Sequence, residues 1–423
     1  MHFFSKEYLI ATLRKTEKYT KTDMVYLASG GFWQGAGQVL TGLISLALTI
    51  VFANYLPKET YGVFRYTLSI AGVLSIFTLT GMGQAVSQAV ANGAEGVFVS
   101  AVKYQLKWNV LQFLVFISLS AYYLLNNNAE LALSLSILGV LTPLTAALST
   151  YGGYLGGKRE FRLANIYNVV SVAVYAIGMA TVIFVNGEVV WLIAVYALTS
   201  FGTTLYFYLS TLRRFKPPTS DETGADVAVK KYGRELTFIG FLGPIMAQID
   251  KIILAQFWGA TPLAVYSLAT AVPNRATSPL KSWVGIGMPK FSTKTPQEIN
   301  TIFYTRIFQG LLIGALCTGA YVLLSPYLFT YLLPKYLEAL PFSQLLSASF
   351  IFALPNRYIS LLMTSQKLSR LIFLNSIVQS AIKIGLYVIL GIWGGVLGLI
   401  VANVSFSFIS MVINITVWRF NTR

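Results

Sequence analysis

The sequence predicts an all-α integral membrane protein in which about twelve transmembrane helices form two parallel six-helix bundles around a central cavity. Three observations carry that expectation. Charged residues make up 11% of the chain and hydrophobic residues 55%, whereas soluble domains are roughly a quarter charged. The apolar residues fall into runs of about 20, the length at which a helix crosses a bilayer with its backbone polar groups satisfied internally. Basic residues are concentrated in alternate connections between those runs.

In chain order, residues 1–25 precede the first long run. Phe3, Phe4, Tyr8, Leu9 and Leu13 suit a short amphipathic helix lying on the membrane, and a disordered tail fits equally well. The first apolar run starts too late for the pattern of a cleavable signal peptide. The first bundle, within 26–212, holds predicted spans at 30–55, 61–84, 106–125, 131–155, 163–184 and 189–212. Residues 213–235 carry Pro217, Pro218 and an acidic-then-basic stretch, and read as a cytoplasmic linker. The second bundle, within 236–418, holds spans at 236–258, 263–288, 302–324, 337–363, 371–390 and 394–418, followed by a short tail at 419–423. The single cysteine, Cys317, falls in a span and reads as packing; it excludes an intrachain disulfide and a cysteine metal cage.

The net charge of +16 could suggest nucleic acid, but its distribution does not. With both termini cytoplasmic, basic residues such as Lys103, Lys158, Arg159, Arg213, Arg214, Lys230 and Lys231 all fall on the inner side, while the outer loops hold only Lys58 and Lys335. That is the positive-inside distribution of a multi-pass protein, here of the cytoplasmic (inner) membrane, and no nucleic-acid partner is expected. Outer connections at 126–130, 186–188 and 259–262 are very short, leaving no room for an outer domain.

The two halves resemble each other. The stretch IVFANYLPKETYGVFRY from Ile50 aligns with IILAQFWGATPLAVYSL from Ile252, placing Ala53 on Ala255 and Val63 on Val265. A second pairing sets Asn165 against Asn375, each preceded by basic residues. A duplicated unit of six spans keeps its orientation, so the halves would be related by an axis along the membrane normal, an arrangement suited to alternating access.

Within these segments, Asp250-Lys251-Ile252-Ile253-Leu254, Gly259 and Val265-Tyr266-Ser267-Leu268-Ala269 resemble the seventh-to-eighth span pattern of bacterial polysaccharide transporters. Tyr61-Gly62-Val63-Phe64 and Gly81-Met82-Gly83 are similar to that family's second span. The family comprises O-antigen-type flippases of the multidrug/oligosaccharidyl-lipid/polysaccharide exporter superfamily. The resemblance implies a protein that moves undecaprenyl-diphosphate-linked glycan from the inner to the outer leaflet, for surface polysaccharide biosynthesis.

Six cations fall within spans: Arg65, Lys251, Arg275, Lys281, Arg357 and Lys383; Asp250 is the one acid well inside a span. A charge near the bilayer centre costs at least roughly 2.5–3.5 kcal/mol, so such residues are expected to face an interior cavity. One acid leaves the interior positive, which points to an anionic cargo such as a lipid diphosphate. At 1.5 Å per residue, Arg275 sits roughly 18 Å into span eight, near the midplane. Pro273, Pro279 and Pro289 predict a kink in that span. The candidate diphosphate ligands are therefore Arg275, Lys281, Arg357, Lys383 and Lys251. Lys281 and Arg357 fit inner-leaflet headgroups equally well, and Lys383 leans towards a structural role. Arg65, about a turn below the outer surface, is expected to snorkel. Asp250 reads either as a coupling site for H+ or Na+ or as a fixed ion pair with Lys251, Arg275 or Lys383. Gln34 and Gln38 either line the cavity or help helix packing. The spacings Gly152/Gly156, Gly310/Gly314 and Gly391/Gly395 suggest close helix packing.

The only histidine is His2, and no pair of carboxylates lies in a span. General acid–base chemistry lacks its groups, which disfavours a membrane glycan polymerase or transferase. No cofactor and no metal are expected. An ion-coupled multidrug exporter of the same superfamily is the main alternative, although cationic drugs call for an acidic cavity. The expected partners are a lipid-linked anionic glycan and membrane lipid. The chain is expected to be a monomer, either alone or associated with a polysaccharide polymerase.

Overall fold

The computed structural model describes residues 24–218, 224–285, 296–366 and 369–422, with side chains described except at 24–32, 276–285, 296–302, 369–370 and 421–422. The predicted tail at 1–25 therefore lies almost wholly outside the described residues. Among the described residues, all the regular structure is helical. The first half contains α1 (Met24–Tyr55), α2 (Lys58–Leu74), α3 (Met82–Ala91), α4 (Val97–Trp108), α5 (Val110–Leu125), α6 (Ala129–Leu148), α7 (Tyr151–Gly157), α8 (Phe161–Val185) and α9 (Val189–Phe215). Beyond them come α10 (Gly224–Ile239), α11 (Leu242–Trp258), α12 (Ala260–Gly285), α13 (Pro296–Leu332), α14 (Leu340–Ser347), α15 (Phe350–Ser365) and α16 (Ser369–Thr422).

Among the described residues, 8 helices are long and apolar enough to cross a membrane, or up to 10 if each of two bent pairs is one span. One of the eight, Leu371–Phe420, is 50 residues long and covers the predicted eleventh and twelfth spans. It breaks at Gly395, whose φ of 54° and ψ of −130° are non-helical. The predicted second span also breaks. Helix α2 ends in a 3₁₀ turn, Ser75–Phe77, and α3 continues at 55° to it. Hydroxyls there bond to nearby carbonyls, Ser75 Oγ to Gly72 O (2.7 Å) and Thr78 Oγ1 to Ser75 O (2.7 Å), in competition with the helix ladder. The predicted tenth span has a 44° bend between Pro334–Ser347 and α15.

The outer surface is apolar: Leu125, Val185, Leu323 and Trp393 are among its exposed side chains. Lipid covers such a surface, whereas water would not. Inside, polar groups tie helices together. Asn109 Nδ2 donates to Pro143 O at 2.7 Å, and Ser120 Oγ donates to Ala132 O at 2.7 Å. Near the connection between α3 and α4, Lys158 bonds to Glu95, which also accepts from Tyr154 Oη at 3.1 Å. The Lys158 ammonium holds the Glu95 carboxyl below its ordinary value.

Helices of the first half pack mainly on one another (α1 on α8, α5 on α6, α9 on both α6 and α8), as do those of the second (α13 on α15, α11 and α15 on α16). Within the stretch read as a linker, α10 is a formed helix that packs on α3 and α4. Thr237 Oγ1 accepts there from Gly81 N at 3.0 Å. The halves meet chiefly where α2 packs on α11 and α12, with α1 also touching α12.

These contacts gather at the end carrying the α1–α2 and α11–α12 connections. Asn54 Nδ2 donates to Leu332 O at 2.8 Å, and Lys58 pairs with Glu338 at 2.5 Å. Gln256 Nε2 donates to Tyr66 Oη, which also bonds Tyr123 Oη at 2.8 Å. This end is closed.

Candidate functional site

Below the closed end, α2, α11, α12 and the first arm of α16 bring charges together. Arg65 Nε and Arg275 Nη1 are buried without a hydrogen-bond partner among the described residues. The two guanidinium groups lie within electrostatic range of each other, and Lys251 lies within range of both Arg65 and Lys383. Lys251 Nζ donates to Gln248 Oε1 at 2.7 Å and to Ala247 O at 3.2 Å. Lys383 Nζ donates to Met246 O at 3.3 Å and sits over the Tyr387 and Phe406 rings at 5.2 and 5.5 Å. The acid among them, Asp250, is 9% exposed. Its Oδ2 accepts from Tyr266 Oη at 2.7 Å and its Oδ1 from Lys251 N at 2.9 Å.

A cavity of about 570 Å³ adjoins this cluster within the second half, between α11, α12, α15 and both arms of α16. Its wall includes Met246 and Phe406, the groups that hold Lys383. Elsewhere it is lined by Asn356, Asn375, Gln379, Asn403, Ser407, Ser410 and Asn414. These form a linked network. Asn414 Oδ1 accepts from Asn375 Nδ2 (2.7 Å) and Gln379 Nε2 (2.8 Å), and Asn356 Oδ1 accepts from Asn414 Nδ2 (2.9 Å). Ser410 Oγ donates to Gln379 Oε1 at 2.6 Å, and Asn403 Nδ2 donates to Tyr387 Oη at 3.0 Å. The interior is thus a cationic patch continuous with an amide-rich pocket whose one charged lining residue is Arg357.

The model of one family, described as polysaccharide biosynthesis protein, matches residues 27–293, more than half the chain and the part holding Arg65, Asp250, Lys251 and Arg275. The chain belongs to this family. No curated protein matches it in sequence. Similar solved structures show the fold. One, described as the inward-facing conformation of a multidrug resistance MATE family transporter of the MOP superfamily, has a TM-score of 0.72 at 15% identity, covering 90% of this chain and 94% of its own. The outward-facing conformation of such a transporter gives 0.66 at 15% identity, over 91% and 93%. A MOP superfamily transporter from Pyrococcus furiosus Vc1, for which a reverse polarity of the binding pocket is said to suggest a different function, gives 0.65 at 16% identity, over 94% and 95%. The chain is thus a member of the polysaccharide biosynthesis protein family with a MATE-like fold.

Of the predicted ligands, Arg275, Lys251 and Lys383 fall in the cationic cluster, while Arg357 lies on the wall of the amide pocket, exposed. The Lys281 side chain lies outside the described residues. Gln34 and Gln38 are exposed on α1, and neither borders the pocket. Arg65, expected to snorkel, has a buried Nε without a hydrogen-bond partner among the described residues and lies within electrostatic range of Lys251 and Arg275. Two expectations are corrected. Asp250 forms no ion pair with Lys251, Arg275 or Lys383; its oxygens accept instead from Tyr266 Oη and the Lys251 backbone N–H. At the spacing Gly152/Gly156, the close approach is made one residue later, where a Cβ at Gly153 would lie 2.1 Å from Gly83 O and one at Gly157 2.6 Å from Ser87 O.

Tyr266 and the amide pocket were not foreseen as site features. A signal existed for the pocket: Asn403, Ser407, Ser410 and Asn414 recur at helical spacing in an otherwise apolar span, as do Ser376, Ser380 and Lys383.

Proposed function

We propose that this transporter is a flippase for undecaprenyl-diphosphate-linked oligosaccharide, carrying it across the cytoplasmic membrane by alternating access for surface polysaccharide biosynthesis. The observation that supports the reading most directly is the pair of buried, unpartnered guanidinium nitrogens on Arg65 and Arg275, beside Lys251 and Lys383. A buried donor left without a partner costs about 1–3 kcal/mol. A diphosphate entering among them would supply the missing charge and the acceptors, and arginine's planar fork matches phosphate oxygens. Asp250 accepts from Tyr266 rather than closing on a lysine, and one carboxylate against four cations leaves the cluster positive. A cationic drug would meet repulsion here, which disfavours a multidrug exporter.

The distribution of basic residues puts the closed end on the outer side, so the molecule would face inward, ready to take the head group from the inner leaflet. The lipid tail would stay in the bilayer throughout. Loading of the head group would favour rocking of the halves, with contacts at the closed end breaking as others form at the inner end. Asp250, close to Lys251 and Lys383, is the candidate site at which H+ or Na+ would couple to that motion.

The test is transfer in proteoliposomes of a fluorescent polyprenyl-diphosphate-linked sugar, followed by quenching of outer-leaflet label with an impermeant reductant. Wild type should transfer well above protein-free liposomes, and Arg275→Ala should slow transfer at least about tenfold while inserting normally; tenfold corresponds to 1.4 kcal/mol. Wild-type transfer equal to that of empty liposomes would overturn the reading.

A further inference from the structure

Resting on the proposal of a diphosphate-linked cargo, we propose that the amide-rich pocket of the second half is a glycan subsite, which receives the sugars nearest the diphosphate while the cationic cluster holds the phosphates. Its place in the molecule is the first argument. The pocket and the cluster share a boundary, since Lys383 donates to Met246 O and lies over Phe406, both of which line the pocket. A head group whose phosphates reach Lys383 therefore directs its attached sugars into the pocket.

Chemistry is the second argument. Sugar hydroxyl and acetamido groups each offer donors and acceptors at close spacing, and carboxamide side chains offer both in kind. The network does not use up its own capacity. Asn375 donates one N–H to Asn414 and accepts from Gln379, which leaves a second N–H and a second lone pair. Asn356 donates to Ser407 O at 2.9 Å and likewise keeps an N–H. Gln379 accepts once, from Ser410, and keeps a lone pair. All three residues line the pocket, so these unused groups belong to its wall. Phe350 and Phe406 complete the lining with apolar surface against which the C–H face of a pyranose can lie.

Size is the third argument. A volume of about 570 Å³ falls within the roughly 300–1,000 Å³ of small-molecule sites. A network serving only to join α15 to α16 would need no such space beside it. Ser376, exposed on the same wall, makes no side-chain bond among the described residues and contributes nothing to that joint.

The experiment measures equilibrium binding of two radiolabelled probes to the full chain in nanodiscs: polyprenyl diphosphate, and the same lipid carrying one N-acetylglucosamine on its diphosphate. Wild type should bind the sugar-bearing lipid at least about tenfold more tightly. Asn375→Leu should reduce its affinity to that of the bare lipid, and Ser376→Phe, which fills the pocket without touching the network, should do the same. Arg275→Ala should weaken both probes together. Equal affinity of wild type for the two lipids overturns the subsite while leaving the diphosphate reading intact. A sugar preference that survives Ser376→Phe also overturns it, even if Asn375→Leu lowers stability. If wild type binds neither lipid, both the subsite and the flippase reading fall.

Discussion

Tyr266 decides what the lone carboxylate of the cluster can do. Its hydroxyl donates to Asp250 Oδ2 at 2.7 Å, and Tyr266 is fully buried. A carboxylate satisfied in this way has less to gain from closing on a lysine, so Lys251 turns to Gln248 and Lys383 to Met246 O and two rings. Neutralising the cations internally would stabilise the empty protein and weaken the hold on an anion proposed for it. Tyr266→Phe separates these effects. It leaves a buried acceptor without its donor, which costs about 1–3 kcal/mol, and it frees Asp250 to pair with a neighbouring ammonium. The expected outcome is a lower unfolding midpoint in detergent together with weaker binding of polyprenyl diphosphate. If affinity is retained while the midpoint falls, Tyr266 is a packing residue alone.

At the scale of the element, α16 shows how much of the fold was legible. Two apolar runs at 371–390 and 394–418 declared two spans, and both are present, but as arms of one helix assignment broken at Gly395. Hydropathy reports that a segment is buried in lipid; it does not report direction. Gly391 and Gly395 read as a packing pair, and both pack closely: a Cβ at Gly391 would lie 2.7 Å from Leu399 Cδ2 and 3.2 Å from Ile253 Cγ2, while Gly395 also breaks the helix. Gly395 takes φ 54°, ψ −130°, a conformation closed to residues with a Cβ, and Trp258 packs against it while its Nε1 donates to Gly391 O at 3.1 Å. The bend after α2 was illegible for a related reason: hydroxyls at Ser75 and Thr78 compete with the ladder only when their rotamers point back at it. Gly395→Ala tests the break. An added Cβ would sit 3.0 Å from the Trp258 ring and force a disfavoured backbone region. Strain of this kind costs about 1–3 kcal/mol, so the unfolding midpoint should fall, and tryptophan fluorescence should report a displaced Trp258.

For the whole molecule, charge was legible as a sign and illegible as a position. Six cations against one acid announced a positive interior, yet depth along a span could not show that Arg65 turns towards Lys251 while Arg357 stands on another wall. The amide pocket was harder still, because carboxamides carry no net charge and its residues come from separate helices. The same whole-molecule geometry places one glycine at the closed end. A Cβ at Gly62 would lie 1.9 Å from Ala260 O and 2.5 Å from its carbonyl carbon, so α2 and α12 touch there backbone to backbone. Gly62 belongs to the first half and Ala260 to the second. No side-chain rotation can relieve the overlap, and Gly62→Ala therefore has to separate the halves locally. Separation would draw Asn54 from Leu332, Lys58 from Glu338 and Tyr66 from Gln256, the other ties at that end. Under the alternating access proposed for this chain, holding the closed end apart shifts the population towards the state open there. Spin labels at Tyr55 and Leu337, both exposed near this end, in a chain with Cys317→Ala, would read the change. Gly62→Ala should move their distance distribution to longer values and slow transfer of the lipid-linked sugar. A distribution that matches the glycine-containing chain would mean that this backbone contact does not hold the outer end closed.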